Sequence, residues 1–309
     1  MPNAGMRQVI TIISALALLG STLALLIYSE PMASRFWFAL AVTVAIVSAV
    51  AFLSRRLLFS SGLTLSLVAI VLLVSLWKKA TMNMVMHSYD LFFYLNAGTI
   101  QFLWGDYRGY VAGAVAALLA AAVLAVLTWR FDTTRCLRLV SGLALVLAVA
   151  AAFRLEPQAS ADSGGFTLFN DDKSFVSLFY LSWGETYRTL NRGQFLAAAA
   201  DTALNDFAGP RKCVPQAKPP HILLIHQESL VQPSLFPALA YDRALDSFFL
   251  SGDGQLHKLL VETYGGGSWV TEFALLSGVS TKAFGDMRMF VQVFMQGRLK
   301  ETLPQILED

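Results

Sequence analysis

The most constraining feature of this sequence is a series of long apolar runs without internal charge, all before about residue 155. A helix needs about 20 apolar residues to cross a bilayer core, and lipid offers no partner for an exposed peptide group. The sequence therefore predicts a membrane α-helical bundle of five transmembrane helices, at Val9–Ile27, Phe36–Leu53, Leu57–Trp77, Tyr110–Trp129 and Leu137–Phe153. No small-residue cleavage site follows the first run, so we expect a retained anchor rather than a signal peptide.

Composition excludes several classes of protein. Hydrophobic residues make up 56% of the 309 residues and charged residues 14%, with a net charge of +2, whereas soluble domains carry about a quarter charged residues. This balance excludes a disordered chain, an acidic tail protein and a nucleic-acid binder that works by bulk positive charge. No strongly polar residue lies in the middle of a span, so a transporter or proton pump has little support.

The distribution of basic residues predicts the orientation of the bundle. With the N-terminus in the cytoplasm, the inner segments hold Arg7, Arg55, Arg56, Arg130, Arg135 and Arg138, and the outer loops hold Arg35, Lys78, Lys79 and Arg108. This modest excess favours that orientation. Five crossings then place everything after residue 155 outside the cytoplasm, with Cys136 and Cys213 on opposite sides of the membrane.

Two regions next to the spans are predicted to form helices near the membrane surface. The partly apolar loop Lys78–Gly109 favours a surface helix over a re-entrant segment, with Asp90 and Asp106 as surface charges. Residues 154–170 indicate a flexible exit from the membrane. The aromatic pattern from Phe175 to Tyr187 then predicts a helix that lies against the bilayer or packs against protein, and periodicity does not separate these alternatives.

The polar part of the chain predicts an α/β domain. Strand, helix, strand and helix follow one another at His221–Gln227, Asp242–Leu250, Lys258–Tyr264 and Ser268–Leu276, an order typical of a parallel sheet covered by helices. The predicted domains are therefore a transmembrane domain over 1–153, a juxtamembrane linker with an interfacial helix over 154–218, and an incomplete α/β domain over 219–309.

Two features of this α/β domain carry chemistry. Glu228 follows the first predicted strand, at the sheet edge where ligands bind, and a carboxylate there suits a divalent cation; a solvated loop glutamate is the alternative. Glycines precede Ser268 at a predicted helix start, where free N–H groups favour phosphate and a hydroxyl is placed as a nucleophile; an ordinary N-cap serine is the alternative. His226, on the strand face of Glu228, is either a supporting residue of the site or a packed histidine.

The stretches "HILLIHQES" and "VETYGGGSWVTEFALLSG" resemble the alkaline-phosphatase/sulfatase superfamily, and within it the lipoteichoic-acid-synthase-like phosphoglycerol transferases. The resemblance implies a sulfatase-like fold, a metal held by Glu228 and Ser268, and Ser268 as the nucleophile in place of the usual threonine. It implies substrate contacts from Gly266, Gly267 and Trp269. The expected cofactor is Mn²⁺, with Zn²⁺ or Mg²⁺ as alternatives.

The same resemblance implies a bacterial cell-membrane enzyme whose catalytic domain lies outside the cytoplasm. Phosphatidylglycerol is the expected donor, a glycan or polymer the acceptor, and no nucleic acid is expected. Members of that family continue further and carry an Asp-His metal pair, so a truncated non-catalytic remnant is one alternative. A phosphoethanolamine transferase of the same superfamily is another alternative. The resemblance disfavours it, because the periplasmic domains of those enzymes tend to be rich in disulfides and Cys213 is the single cysteine predicted on the outer side.

Overall fold

The computed structural model describes residues 4–82, 84–93, 97–157, 174–192, 221–226, 230–257, 261, 267–281, 284, 288, 290–299 and 302–308. The chain divides into two compact units, Met1–Asn191 and Arg192–Asp309. The described helices of the first unit are α1 (Ala4–Ser29), α2 (Ala33–Ser54), α3 (Leu57–Met82), α4 (Ser88–Phe93), α5 (Ala97–Asp106), α6 (Arg108–Phe131), α7 (Arg138–Leu155) and α8 (Val176–Arg192).

Five helices of the first unit, α1, α2, α3, α6 and α7, are long and apolar enough to cross a membrane. The prediction of five spans is confirmed, and each helix ends a few residues beyond its predicted apolar run. Some hydroxyl side chains near these ends donate a hydrogen bond to the backbone carbonyl one turn back. Ser54 Oγ, for example, donates to Val50 O at 2.7 Å.

Small residues let the spanning helices approach one another closely. Helix α2 packs against α7, and α3 packs against both α1 and α6. A Cβ atom placed on Gly62 would lie 2.8 Å from Thr128 Cγ2, and one on Gly113 would lie 2.7 Å from the Trp77 ring. Both glycines therefore mark contacts between α3 and α6 that a larger residue would push apart, as small residues do in membrane bundles.

Two connections meet at one end of the bundle, where the loop after α6 caps the start of α3. Asp132 Oδ2 accepts the Phe59 N–H at 3.0 Å, and Thr134 Oγ1 accepts the Leu57 N–H at 2.9 Å. A helix start has N–H groups without partners in the helix, and these two side chains satisfy two of them. Asp132 and Thr134 are both buried, so the cap is an internal feature of the bundle.

The start of α8 is capped by the carboxylate of Glu30, which lies between α1 and α2, 146 positions before Val176. Glu30 Oε1 accepts the backbone N–H groups of Phe175, Val176 and Ser177 at 3.2, 2.7 and 2.9 Å, and Oε2 accepts the Ser177 hydroxyl at 2.6 Å. Burial raises the pKa of the Glu30 carboxyl, and the Ser177 hydroxyl and these N–H groups oppose that rise. The negative charge also lies at the positive end of the helix dipole.

The apolar face of α8 packs against protein. Val176, Leu178 and Phe179 belong to a buried cluster that also contains Leu26 of α1 and Val68 of α3. The helix predicted at Phe175–Tyr187 therefore packs against protein on one face; Trp183 and Tyr187 are exposed, and contact of this helix with the bilayer stays a prediction. Its burial in the first unit follows from this cluster and from the Glu30 cap.

The segment between α3 and α6 corrects one prediction. Asp90 is not a surface charge, because its side chain is only 13% exposed and Lys78 Nζ lies 2.8 Å from both of its carboxylate oxygens. Asp90 Oδ2 also accepts the His87 N–H at the start of α4. Asp106, at the end of α5, is exposed as predicted. The ion pair ties α4 to the last turns of α3.

The second unit contains short helical segments in its described residues: 3₁₀ helices at Pro233–Leu235 and Arg243–Phe249, α9 (Ser268–Ser277), α10 (Val291–Met295) and α11 (Leu303–Glu308). The predicted helix Asp242–Leu250 is a 3₁₀ helix that Asp242 caps by accepting the Ala244 N–H. Helix α11 begins at Leu303, directly after Thr302.

The predicted sheet is not confirmed. Residues 221–226 have no regular secondary structure, and of the predicted strand Lys258–Tyr264 the structure describes Val261 alone. The apolar side chains of the first segment are exposed, with Leu223 at 84%, so nothing in the described part of the chain covers them as a sheet neighbour would. The described residues therefore contain no strand, and the α/β fold stays a prediction.

We predict that Glu30→Ala loosens the docking of α8. The variant leaves three N–H groups and one hydroxyl buried without their acceptor, which costs about 1–3 kcal/mol for each unsatisfied group. Hydrogen exchange of the Phe175, Val176 and Ser177 amides should accelerate by at least about tenfold. Asp106→Ala, which removes an exposed carboxylate, is the control; equal exchange in the two variants would contradict the role of Glu30.

Candidate functional site

The predicted nucleophile lies at the first residue of a helix. Gly267 takes a left-handed conformation, with φ 74° and ψ 33°, and α9 begins at Ser268. Val270 N donates to Gly267 O at 3.0 Å and closes the first turn. Gly278 ends the helix with φ 67°. The predicted start is confirmed, and the helix ends one residue later than predicted.

The burial pattern of α9 determines which way Ser268 faces. Val270, Phe273 and Ser277 are buried, and the Phe273 ring meets Phe284 edge to face at 6.3 Å between centroids. At 100° per residue these three positions share one face of the helix. Ser268 lies on the opposite face and is half-buried, so its position is compatible with access from solvent.

A carboxylate and an imidazole lie on that opposite face. Glu272 follows Ser268 by four residues and so shares its side of α9. Its Oε1 atom lies 4.0 Å from His226 Nδ1, with the two side chains 40% and 30% exposed. The end of the segment 221–226 is therefore beside the first turns of α9. Trp269, next to Ser268, is half-buried, and its carbonyl accepts a hydrogen bond from Gln292 Nε2 at 3.4 Å.

Two predicted site residues lie outside the described residues: Glu228, the predicted metal ligand, and Gly266. The predicted approach of Glu228 to Ser268 is therefore neither shown nor contradicted. His226 lies two positions before Glu228 in sequence, and its contact with Glu272 brings that part of the chain to the helix that carries Ser268.

The described residues do not by themselves form a metal site. No group of three His, Cys, Asp or Glu side chains comes together in the described ranges. His226 and Glu272 supply two potential donors beside Ser268, and hard or borderline divalent ions usually take more than two protein ligands. A second carboxylate–imidazole contact, Asp253 Oδ2 to His257 Nε2 at 2.9 Å, is exposed; hydrogen bonds from Ser251 and His257 lower the pKa of Asp253.

Glu272 is the residue of this face that the sequence prediction did not assign. The signal for it was available, because positions 268 and 272 are four apart in a helix whose apolar positions define the buried side.

Comparison with protein-family models, with curated proteins and with solved structures finds no significant match to this chain.

We predict that Gly267→Ala disturbs the start of α9. A side chain at φ 74° is strained, at a cost of about 1 kcal/mol, so amide exchange in Ser268–Ser277 should accelerate about fivefold. Gly252→Ala is the matched control, because Gly252 has open space at its Cβ position and no positive φ. Unchanged exchange in Gly267→Ala would show that the left-handed conformation is not needed.

Proposed function

We propose that this chain is a membrane-anchored, sulfatase-like transferase that moves a phosphoglycerol group from phosphatidylglycerol to a glycan or polymer acceptor, with Ser268 as the nucleophile. The observation that carries the proposal is the position of Ser268. It is the first residue of α9, follows a left-handed glycine and lies opposite the buried face of the helix. The resemblance of the surrounding sequence to the phosphoglycerol transferases supplies the reaction.

In the proposed reaction the Ser268 oxygen bonds to phosphorus, and the bond between phosphorus and the diacylglycerol oxygen breaks. That oxygen takes up the proton that the serine hydroxyl loses, so diacylglycerol leaves and a glycerophospho-enzyme remains. An acceptor hydroxyl then displaces Ser268, which regains a proton. The positive end of the helix dipole at the start of α9 favours the charge on the phosphate oxygens.

A divalent metal ion, Mn²⁺ by resemblance, belongs to the proposal, with Glu228 and Ser268 as its ligands. When bound, it lowers the pKa of a ligated hydroxyl and offsets phosphate charge. His226 and Glu272 lie near enough to α9 to be considered as supporting side chains. The role of Ser268 as a nucleophile rests on its own position in the helix and not on a metal geometry.

The proposed enzyme lies in a bacterial cell membrane with its N-terminus in the cytoplasm and its second unit outside. Five spanning helices support a multi-pass membrane protein. Hydrogen bonds join the first turns of α1 and the connections α2–α3 and α6–α7 at one end, as five crossings require in either orientation: Thr11 Oγ1 lies 2.9 Å from Thr133 Oγ1, and Cys136 N donates to Arg55 O at 2.9 Å.

We predict that the chain in phosphatidylglycerol vesicles with Mn²⁺ releases diacylglycerol and that Ser268→Ala lowers the rate at least about a hundredfold, equivalent to about 2.7 kcal/mol of activation free energy. Ser268→Thr should retain activity, because it keeps a hydroxyl at the same position. Ser247→Ala, which alters an exposed serine of the same unit, is the control. The measurement is diacylglycerol release by lipid chromatography.

The same assay separates the alternatives. The unaltered chain should bind Mn²⁺ at micromolar concentration in a metal titration, and Glu228→Ala should lose this binding together with the Mn²⁺-dependent release of diacylglycerol. Full turnover by Ser268→Ala would exclude the proposed nucleophile. Diacylglycerol released from phosphatidylethanolamine instead would identify a phosphoethanolamine transferase, and no turnover of either lipid together with no metal binding would favour a non-catalytic remnant.

We predict that the two cysteines label from opposite sides of the membrane. In intact spheroplasts a membrane-impermeant maleimide should modify Cys213 in Cys136→Ser and spare Cys136 in Cys213→Ser. Cys136 should label only after permeabilisation. Burial and the nearby Asp132 raise the pKa of the Cys136 thiol; since the thiolate is the nucleophile, its labelling should accelerate with rising pH. Labelling of Cys136 in intact spheroplasts would reverse the topology.

A further inference from the structure

Five arginines gather at the end of the bundle where α1 begins and where the connections α2–α3 and α6–α7 meet. Thr11 Oγ1 donates to Arg7 O and accepts a hydrogen bond from the Thr133 hydroxyl, which places the start of α1 at this end. The Cys136 N–H to Arg55 O bond joins the two connections. The exposed residues here, called the arginine cluster, are Arg7, Arg55, Arg130, Arg135 and Arg138.

The charge of the arginine cluster is not balanced by nearby acids. Asp132 is the single carboxylate within 4–14, 50–60 and 128–142. Its side chain is buried, with Oδ2 bonded to Phe59 N and Oδ1 bonded to the N–H and hydroxyl of Thr134. Two residues of the cluster donate hydrogen bonds to backbone carbonyls: Arg55 Nε donates to Cys136 O and Arg135 Nη1 to Thr134 O.

Exposed aromatic side chains lie at this end of the bundle. Trp129 is 46% exposed and packs edge to face on Phe59 at 4.9 Å between ring centroids. Arg56, which is not part of the cluster, lies over the Trp129 ring at 4.1 Å and donates to Trp129 O. Phe131, two residues on, is also exposed. Exposed Trp and Phe at helix ends are typical of the boundary between hydrocarbon and headgroups.

We propose that the arginine cluster binds anionic phospholipid headgroups of the adjoining leaflet. Guanidinium groups bind phosphate oxygens through paired N–H bonds, and their aliphatic stems remain along the apolar helix ends while the charges reach the headgroups. Clusters of basic residues next to spanning helices concentrate anionic lipid in this way. The inference does not rest on the proposed function, since Ser268 belongs to the other unit.

The experiment uses the full chain in two kinds of vesicle, both of which contain phosphatidylcholine and phosphatidylserine. In one kind the phosphatidylserine is brominated, and in the other the phosphatidylcholine is brominated. Bromine quenches tryptophan fluorescence on contact. The Trp129 signal is obtained by subtracting the signal of Trp129→Phe. Phosphatidylserine is anionic but is not the donor of the proposed reaction, so binding and turnover are distinguishable. The same preference should appear in Ser268→Ala and without added metal.

We expect Trp129 to contact phosphatidylserine at least about tenfold more strongly than phosphatidylcholine, and Arg135→Gln/Arg138→Gln to lower that ratio toward 1. Arg108→Gln/Arg154→Gln removes two exposed charges at the opposite ends of α6 and α7 and should leave it unchanged. Rising salt should weaken the preference. Equal contact with both lipids in the unaltered chain, or equal loss in the two double variants, would overturn the proposal.

Discussion

The first unit depends on one constraint: hydrocarbon supplies no hydrogen bonds, so every polar group of a spanning helix must find its partner within the protein. The hydroxyls along α3 meet it by donating to carbonyls one turn back, as Ser61 does to Leu57 O at 2.9 Å. The N–H groups at a helix start have no such carbonyl, and at the starts of α3 and α8 side chains from elsewhere in the chain accept them. Asp132 and Thr134 cap α3, and Glu30 caps α8. Residues distant in sequence thereby fix how the helices are joined.

These caps explain why α8 belongs with the spanning helices although it lies after a long polar stretch. Its apolar side chains need a buried surface, and its N-terminal N–H groups need an acceptor. The cluster around Leu26 and Val68 supplies the surface, and Glu30 supplies the acceptor. A buried carboxylate is costly unless hydrogen-bond donors surround it, and the start of α8 supplies these donors to Glu30. The apolar packing of α8 and its cap by Glu30 therefore stabilise each other. The Lys78–Asp90 pair satisfies two charges near the end of α3 in the same way.

Sequence predicts the elements that depend on local pattern and misses those that depend on distant partners. The five spans follow from apolar length, and the start of α9 follows from the glycines that precede Ser268. Asp90 was predicted as a surface charge because its partner, Lys78, is 12 residues away and the pair has no local signature. The cap from Glu30 to Val176 joins residues 146 positions apart. A short apolar run such as 221–227 does not by itself distinguish a strand from an irregular segment.

In the second unit, the proposed chemistry depends on the orientation of Ser268 as well as on its hydroxyl. Turned by half a helix turn, Ser268 would lie on the side of Val270 and Phe273, and a hydroxyl there would have no access to a lipid phosphate. The apolar spacing of α9 prevents this by burying the other face, and the left-handed Gly267 allows the chain to enter the helix with Ser268 at its first position. Glu272 lies on the side of Ser268, and His226 approaches it there. The burial of one face of α9 thus determines the direction in which Ser268 and Glu272 point.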